Sequence, residues 1–153
     1  MGKTSAGILA WRKVRGAVEV LLVHPGGPFF IKKDEGAWSI PKGEYDATEE
    51  PLIAAQREFV EELGTKVNGE FIALEPVKQK SGKTVFAWAV EADPDIANFK
   101  SNTFVMEWPP RSGKMQEFPE VDKAEWFVMD VAKTKVNPAQ VALLEELGTV
   151  LMA

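Results

Sequence analysis

Three carboxylates at helical spacing are the first feature of this sequence that could do chemistry. Glu58, Glu61 and Glu62 stand at positions i, i+3 and i+4, so a helix places them on one face, within an arc of about 100°. Like charges this close destabilise a helix unless solvent screens them or a cation neutralises them. Mg²⁺ and Mn²⁺ are cations that prefer oxygen ligands. The cluster is therefore either a solvated acidic face or a site for divalent metal ions.

The flanking residues predict where this helix begins and ends. Pro51 suits a first helical turn, where its missing N–H is no loss, and Gly64 suits the position just past the last turn. The apolar side of the helix is formed by Leu52, Ala55, Phe59 and Leu63. Gly43 precedes the helix and predicts a backbone turn there, because glycine adopts backbone conformations that other residues rarely adopt. The stretch is thus expected to be a loop followed by a helix of about 13 residues with a sharp stop.

The stretch from Gly43 to Thr65, GEYDATEEPLIAAQREFVEELGT, resembles the signature of the Nudix hydrolase family. That signature is G-x5-E-x7-R-E-U-x-E-E-x-G-U, where U is a bulky aliphatic residue. Every fixed position matches, and the departures fall in the U places, where Phe59 is aromatic and Thr65 is polar. The resemblance implies metal-dependent hydrolysis of a phosphoanhydride bond in a nucleoside diphosphate linked to a group X, by water attack on phosphorus.

The resemblance also implies roles for individual residues. The expected ligands of Mg²⁺ or Mn²⁺ are Glu58, Glu61, Glu62 and a backbone carbonyl near Lys42 or Gly43. Arg57 is expected to hold a ligand carboxylate in orientation and to offset part of the negative charge. Glu49 is expected to brace the loop or to reach a metal ion through water.

A fourth acid is expected in the segment that precedes Trp126. Many Nudix enzymes have a further glutamate a few residues before a strand that carries a tryptophan. Glu120 is the first candidate by its place before Trp126, and Glu117 is the second. Such a residue would deprotonate the attacking water or complete the metal shell. The alternative is an acidic surface loop with no role in catalysis.

Several basic residues could bind the phosphate groups of a substrate. The candidates are Lys32, Lys33, Lys42, Arg111 and Lys114, and solvated surface lysines are the alternative for the first two. Together with the lysine-rich turn at residues 78–83 they favour a long phosphate chain, as in a nucleoside triphosphate or dinucleoside polyphosphate. An adenine would stack on Trp38, Phe86 or Trp108.

Two alternative functions stay open at this point. One is an ADP-ribose or nucleotide-sugar pyrophosphatase, since the signature stretch from Gly43 to Thr65, called the box below, says nothing about X. The other is a Nudix-fold module that senses a nucleotide without cleaving it. The complete set of box glutamates argues against that second alternative.

Composition excludes several classes of protein. The net charge of −5 over 153 residues argues against a general nucleic-acid-binding surface. The chain has no cysteine, which excludes disulfides and thiolate metal sites and favours a cytoplasmic location. It has no apolar run near the roughly 20 residues of a membrane span. The expected partner is a small-molecule nucleotide, with monomer or homodimer left open. His24, the one histidine, is expected to be structural.

The remaining periodicity predicts an α/β fold. Strands are expected over residues 5–11, 17–24, 71–77, 84–91, 103–108 and 124–129, and a short helix near residues 130–133. Asn137 and Pro138 are a cap and first-turn pair for a last helix. These elements predict one domain over residues 1–153, a Nudix-type α/β/α sandwich. Its central mixed sheet would be covered by the box helix on one side and the last helix on the other.

Overall fold

The computed structural model describes residues 3–152 of the chain. Nine strands follow in order: β1 Thr4–Val14, β2 Ala17–Pro25, β3 Lys42–Glu44, β4 Ile72–Ala73, β5 Val77–Lys78, β6 Thr84–Glu91, β7 Thr103–Glu107, β8 Met115–Pro119 and β9 Val121–Val128. The helices are α1 Pro51–Leu63, α2 Met129–Lys135 and α3 Val141–Met152, with a 3₁₀ turn at Pro138–Gln140 before the last. Among these helices none combines the length and apolar character that crossing a membrane requires.

A mixed sheet forms the centre of the molecule. Its main path runs β4-β6-β1-β2-β9, with β3 paired to β1 and β5 paired to β6. β1 runs parallel to β6 and antiparallel to β2. Leu21 and Leu22 are both fully buried although neighbours on a strand face opposite ways, so β2 is covered on both sides as its apolar run predicts.

Two apolar clusters cover the two faces of the sheet. One packs Ile8 and Leu21 against Phe59 of α1, and the other packs Leu22 against Leu143 and other residues of α3. The α/β/α sandwich with a mixed sheet is therefore confirmed. The box helix and the C-terminal helix lie on opposite sides, as expected.

Helix α1 has the bounds that its sequence predicts. It runs for 13 residues, and Pro51 lies in its first turn. Gly64 adopts φ 72°, in the left-handed region, and its N–H donates to the Val60 carbonyl at 2.7 Å. At the other end of the chain, the Asn137 side chain accepts a hydrogen bond from the Ala139 N–H at 3.0 Å. Both cap predictions are confirmed.

The strand predicted over residues 71–77 is wrong in its extent. The structure has two short strands there, β4 and β5, which both pair with β6. Between them, the Glu75 N–H donates to the Glu146 side chain instead of to a strand, and Pro76 has no N–H to donate. The ladder is interrupted because these two residues cannot continue it.

The segment before β9 also departs from the prediction. Residues expected to be a loop form β8, which pairs with β7 in a separate two-stranded sheet. Phe104 lies opposite Phe118 in this hairpin, with ring centroids 6.0 Å apart. Four of the five residues of β8 are exposed and Phe118 alone is partly covered, so this strand has no alternating apolar pattern that its sequence could have shown. β9 accordingly begins at Val121, three residues earlier than expected.

Candidate functional site

Arg57 is the centre of a network of carboxylates on the charged side of α1. Its guanidinium donates to both oxygens of Glu49, at 2.8 and 2.9 Å. The same group donates to Glu58 at 2.8 Å and to Glu61 at 2.5 Å. Arg57 lowers the pKa of Glu49 below its ordinary value, chiefly through the hydrogen bonds. One residue thus orients two box glutamates, and Glu49 braces that residue from the preceding loop.

Gly43 lets the backbone of β3 approach α1 closely. A β-carbon built on this residue would lie 2.0 Å from the carboxyl carbon of Glu58, far inside contact distance. Gly43 pairs with Ala6 of β1 in a regular antiparallel register. The expectation that this glycine makes a turn is therefore wrong. A glycine is needed because the Glu58 carboxylate occupies the space that any side chain would take.

A cleft of about 390 Å³ opens where β3 faces α1. We call it the acidic cleft, and its lining consists of Lys42, Gly43, Glu44, Glu58, Glu62, Lys83 and Glu120. A smaller cavity of about 120 Å³ shares Lys42, Glu62 and Glu120 with it. The fold therefore brings two glutamates of the box helix together with Glu120, which is distant from them in sequence.

Glu120 lies at the junction of β8 and β9, and hydrogen bonds hold its backbone on two sides. Its N–H donates to the Asn102 carbonyl at 2.8 Å, and its carbonyl accepts from the Gly26 N–H at 2.9 Å. The Asn102 N–H in turn donates to the Glu61 carbonyl at 2.8 Å, which ties this junction to the end of α1. Glu117, the second candidate, instead lies exposed on β8 and accepts from the Thr103 hydroxyl at 2.9 Å. The structure brings Glu120 to the cleft and leaves Glu117 outside it.

Burial and mutual repulsion make three carboxylates of the acidic cleft, those of Glu58, Glu62 and Glu120, hold protons more tightly, while the hydrogen bond from Lys83 lowers the pKa of Glu44. Burial raises the pKa of Glu62 well above its ordinary value, and the charge of Glu58 raises it further. Burial, and then the charge of Glu61, also raises the pKa of Glu58, while Arg57 partly opposes the effect. The pKa of Glu120 is raised by the same two causes, burial and the charge of Glu61. The cleft is therefore short of positive charge.

Two lysines supply part of the positive charge in the cleft. Burial lowers the pKa of Lys42, and the nearby charge of Lys83 lowers it further. Lys83 lies at the start of β6 and its ammonium pairs with Glu44 at 3.0 Å. The sequence candidates did not include Lys83 as a single residue. Its signal was the lysine-rich turn at residues 78–83, whose position relative to the box only the fold defines.

The donors of the acidic cleft suit a hard divalent cation, because all of its acidic groups are carboxylates. The raised pKa values of Glu58, Glu62 and Glu120 also indicate that a cation would be stabilised there. Within residues 3–152, no three acidic or histidine side chains lie close enough together to share a metal ion as they stand. Glu58 and Glu61 each bond Arg57 through one carboxylate oxygen, and a shared site requires their other oxygens to converge with Glu62. The chemistry of the donors fits the ion.

The other basic candidates lie outside the acidic cleft. Lys32 and Lys33 line a separate cavity of about 390 Å³. Its whole lining is Ile31, Lys32, Lys33, Asp34, Trp38, Lys123, Glu125, Phe127 and Lys135. We call it the lysine cavity. The sequence did not single out Lys123 or Lys135, because they reach this cavity only through the packing of β9 and α2.

Arg111 and Lys114 lie in the exposed turn of the β7–β8 hairpin. Arg111 adopts φ 62° and its N–H donates to the Glu107 carboxylate at 3.1 Å. Neither residue lines the acidic cleft or the lysine cavity. The structure therefore separates these two residues from the other basic candidates.

The three aromatic candidates for base stacking have different environments. Trp38 is only 3% exposed, and its indole N–H donates to Asp34 at 2.8 Å. Trp108 packs edge-on against Phe29, with ring centroids 5.3 Å apart. Phe86 is half-buried on β6. Trp38 therefore belongs to the core and presents little surface to a base.

Comparison with known proteins identifies a family and relatives that this chain resembles. The family model described as "NUDIX domain" matches residues 2–147. An RNA pyrophosphohydrolase of Rhodospirillum rubrum is 38% identical over 55 residues, which are 34% of this chain and 33% of that protein. The match therefore spans only a third of that relative's length.

Two solved structures resemble the whole chain. A C. elegans Ap4A hydrolase in a binary complex has a TM-score of 0.66 at 22% identity, with 98% of each chain covered. The NUDIX domain of Shewanella oneidensis NrtR, complexed with ADP ribose, has a TM-score of 0.69 at 14% identity. That match covers 99% of this chain and 89% of the Shewanella domain. At these identities the two structures support the fold.

Proposed function

The chain belongs to the Nudix family, and from this premise we propose that it is a pyrophosphohydrolase that depends on divalent metal ions. It would cleave a phosphoanhydride bond in a nucleoside diphosphate linked to a group X, by water attack on phosphorus. Nudix hydrolases generally use divalent metals, and we propose Mg²⁺ or Mn²⁺ here. A bound ion of this kind neutralises phosphate charge and lowers the pKa of a coordinated water.

Residues of α1 and of the acidic cleft have distinct roles in this proposal. Glu58 and Glu62, which line the cleft, and Glu61, which neighbours them on α1, would hold the metal ions, with a backbone carbonyl of Lys42 or Gly43 as a further ligand. Arg57 would keep Glu58 and Glu61 in orientation through its hydrogen bonds. Glu120 would accept the proton of the attacking water or complete the metal shell.

One observation carries the proposal. Glu120 lies in one cleft with Glu58 and Glu62 of the box helix, although strands β4 to β8 separate them along the chain. A solvated acidic helix needs no such partner, and like charges repel when they are brought together and buried. Burial, and then the charge of a neighbouring glutamate, raises the pKa of Glu58, Glu62 and Glu120. The arrangement is best explained by a cation that offsets it.

For the substrate we propose a nucleoside triphosphate or a dinucleoside polyphosphate. Lys42 and Lys83 line the acidic cleft and are suited to the phosphates nearest the metal ions. Lys32 and Lys33, in the lysine cavity, are proposed to contact a more distant part of a long substrate. Arg111 and Lys114 stay candidates for the far end of such a substrate. The C. elegans protein of the same fold is an Ap4A hydrolase, which agrees with this choice.

A second candidate is the binding or hydrolysis of ADP-ribose. The Shewanella domain, complexed with ADP ribose, has the same fold, and this favours testing that ligand directly. A nucleotide-sensing module would bind ADP-ribose without turnover. A pyrophosphatase would release AMP and ribose phosphate.

A substrate panel tests the proposal. The purified chain is incubated with Mg²⁺ or Mn²⁺ and with nucleoside triphosphates, diadenosine polyphosphates, ADP-ribose, nucleotide sugars and an RNA bearing a 5′-triphosphate. We expect turnover that needs the metal, is abolished by a chelator, and is fastest on a long phosphate chain. The Glu62→Gln variant is the matched control and should be inactive.

Two outcomes would contradict parts of the proposal. Calorimetric binding of a nucleotide without turnover in either metal would favour the sensing module. Preference for ADP-ribose would refute the choice of a long phosphate chain.

We further propose that the protein forms one domain, which the family match over residues 2–147 supports. A cytoplasmic location is proposed from the absence of cysteine.

A further inference from the structure

His24, the one histidine of the chain, lies buried at the end of β2 with two hydrogen-bond partners. Its ring is only 1% exposed and packs edge-on against Trp38, with centroids 5.2 Å apart. Nδ1 lies 2.7 Å from a carboxylate oxygen of Asp122, and Nε2 lies 2.6 Å from the Lys33 carbonyl. The Lys33 carbonyl can only accept, so Nε2 is the donor in that bond. The ring is therefore held between two hydrogen-bond partners on opposite sides.

The bond to Asp122 is made beside the residue proposed as the fourth acid. Asp122 follows Glu120 by two positions, and the pairing of β2 with β9 shifts register just after His24. Gly26, on the other side of this irregularity, donates its N–H to the Glu120 carbonyl at 2.9 Å. A β-carbon on Gly26 would lie 2.0 Å from the Pro119 carbonyl oxygen, so the two segments are in close contact.

The bond to Lys33 is made to the loop that lines the lysine cavity. This loop runs between β2 and β3 and carries Lys32 and Lys33. Trp38, which packs against the His24 ring, also lines that cavity. His24 thus contacts two segments that lie far apart in sequence, one carrying Glu120 and the other carrying two lysines.

We propose that His24 is a positioning residue that joins these two segments. By its hydrogen bonds to Asp122 and to the Lys33 carbonyl, the ring holds the backbone on which Glu120 enters the acidic cleft. The same two bonds hold the lysine loop against the start of β9. This inference rests on the proposed function, because His24 would affect the reaction only through Glu120 and the lysines.

Nitrogen NMR of the imidazole ring tests the geometry without any assay of activity. The single histidine gives one set of ring signals in ¹⁵N-labelled protein, so no other ring can be confused with it. We expect a ring N–H proton that exchanges slowly with solvent, because the ring is buried and both nitrogens lie within hydrogen-bond distance of an oxygen. In Asp122→Ala the ring signals should shift and this protection should decrease. A rapidly exchanging ring in the unmodified protein, or ring signals that stay unchanged in Asp122→Ala, would overturn the proposal.

Amide hydrogen exchange tests the positioning itself. In His24→Gln one side-chain amide replaces two ring nitrogens that face opposite ways. We expect faster exchange at the Gly26 and Glu120 amides, the two N–H groups that hold the Glu120 backbone. Leu147→Ala is the matched control, because it removes a fully buried side chain of α3, a helix that carries neither of the residues bonded to His24. Equal acceleration in both variants would mean that His24 acts through global stability alone, and would overturn the proposal.

Kinetics then connect the positioning to the reaction. For the folded fraction of His24→Gln we expect kcat to fall about tenfold or more, in the range seen when outer-shell partners are lost. KM should rise for substrates that reach Lys32 and Lys33. Leu147→Ala should keep kcat and KM at a temperature where it is folded. Wild-type kcat and KM in His24→Gln would overturn the inference while leaving the proposed function intact. If the unmodified chain turned over no substrate, the proposed function would fail, and the NMR and exchange results would still decide the role of His24.

Discussion

At the scale of single residues, Arg57 determines how the charges of α1 are arranged. It binds Glu49, Glu58 and Glu61 at once, which no ammonium group could do in the same plane. Its position explains why the signature has an arginine directly before the first glutamate of the cluster. Arg57 holds Glu58 and Glu61, two proposed ligands, close to the proposed metal site. Glu62 faces Lys42 instead.

Replacement of Arg57 by lysine should separate orientation from charge. Arg57→Lys keeps the positive charge but loses the paired bonds to Glu49. We expect kcat to fall by about tenfold to a hundredfold and the affinity for Mn²⁺ to fall with it, as for other residues that orient metal ligands. Steady-state kinetics at saturating nucleotide and a titration with Mn²⁺ measure the two effects.

Arg12→Lys is the matched control for that experiment. Arg12 also bonds two carboxylates, those of Glu19 and Asp93, but lies outside the acidic cleft. It should leave kcat and the affinity for Mn²⁺ unchanged. An Arg57→Lys enzyme that behaved like Arg12→Lys would show that orientation by the guanidinium is dispensable.

At the scale of elements, the contact between β3 and α1 positions the backbone and the carboxylate of the proposed metal site. The strand is only three residues long, yet it pairs with β1 and faces the helix at Gly43. A short strand in contact with a buried carboxylate fixes the position of its own backbone carbonyls. This is why those carbonyls are credible as further ligands.

Gly43→Ala tests that contact. The added methyl would meet the Glu58 carboxylate at a distance that requires one of them to move. We expect loss of most activity and a decrease in the free energy of unfolding of about 1–3 kcal/mol, as for other overpacked sites. Gly148→Ala in α3 is the control, since no atom lies within 4 Å of its added carbon. That variant should be fully active and as stable or more stable, by up to about 1 kcal/mol. Activity and chemical denaturation are measured on both, and full activity in Gly43→Ala would contradict the close approach.

The turn before β6 and the hairpin of β7 and β8 place basic residues at different distances from the acidic cleft. Lys83→Ala should raise KM about tenfold for every substrate with a phosphate chain, because one charge-assisted hydrogen bond is lost. Arg111→Ala should raise KM only for dinucleoside polyphosphates, the longest members of the panel. KM values for a nucleoside triphosphate and a diadenosine polyphosphate decide between the two patterns. If Arg111→Ala raised KM for the nucleoside triphosphate as much as Lys83→Ala did, Arg111 would have to act at the acidic cleft.

At the scale of the whole molecule, the acidic cleft couples function to stability. Its residues come from β3, α1, the turn before β6 and the junction of β8 and β9. Repulsion between their charges therefore opposes the packing of these elements against one another. Buried carboxylates with raised pKa values oppose folding at neutral pH when no cation is bound. The site therefore destabilises the metal-free protein.

Glu62→Gln should raise the free energy of unfolding of the metal-free protein at neutral pH. The folded state binds a proton at Glu62 more tightly than the unfolded state does, because burial raises the pKa of this group. Stability from this group is therefore present below the ordinary glutamate pKa and is lost as pH rises through the raised value. The variant has no carboxylate at this position, so it does not lose this stability as pH rises. Each 1 kcal/mol gained in free energy of unfolding should raise Tm by about 2–4 °C. Thermal denaturation across the acid-to-neutral range measures the difference, which should vanish below the ordinary glutamate pKa.

Addition of Mn²⁺ should reverse the order of the two proteins. An ion that binds only the folded state stabilises it by about 2.7 kcal/mol at a hundred times its dissociation constant. The unmodified chain should therefore gain Tm on adding Mn²⁺, while Glu62→Gln gains little. A Glu62→Gln protein that was less stable than the unmodified chain without metal would contradict the repulsion argument.

The sequence by itself determined helix α1 and the identity of its chemical groups. Pro51 and Gly64 end the helix through local backbone rules, and the apolar stripe through Phe59 selects its buried side. These signals lie within a few residues of one another, so no knowledge of distant contacts is needed. The C-terminal helix and its Asn137 cap were predictable for the same reason.

Only the tertiary structure decided which distant residues join the box. Glu120, Lys83 and the pair of His24 with Asp122 reach their places through strand pairing, and no local period encodes which strands pair. The same limit applies to Gly43, whose need for a missing side chain depends on a carboxylate from another element. The acidic helix was readable from sequence because its geometry is local, and the cleft around it was not because its geometry is made by the sheet.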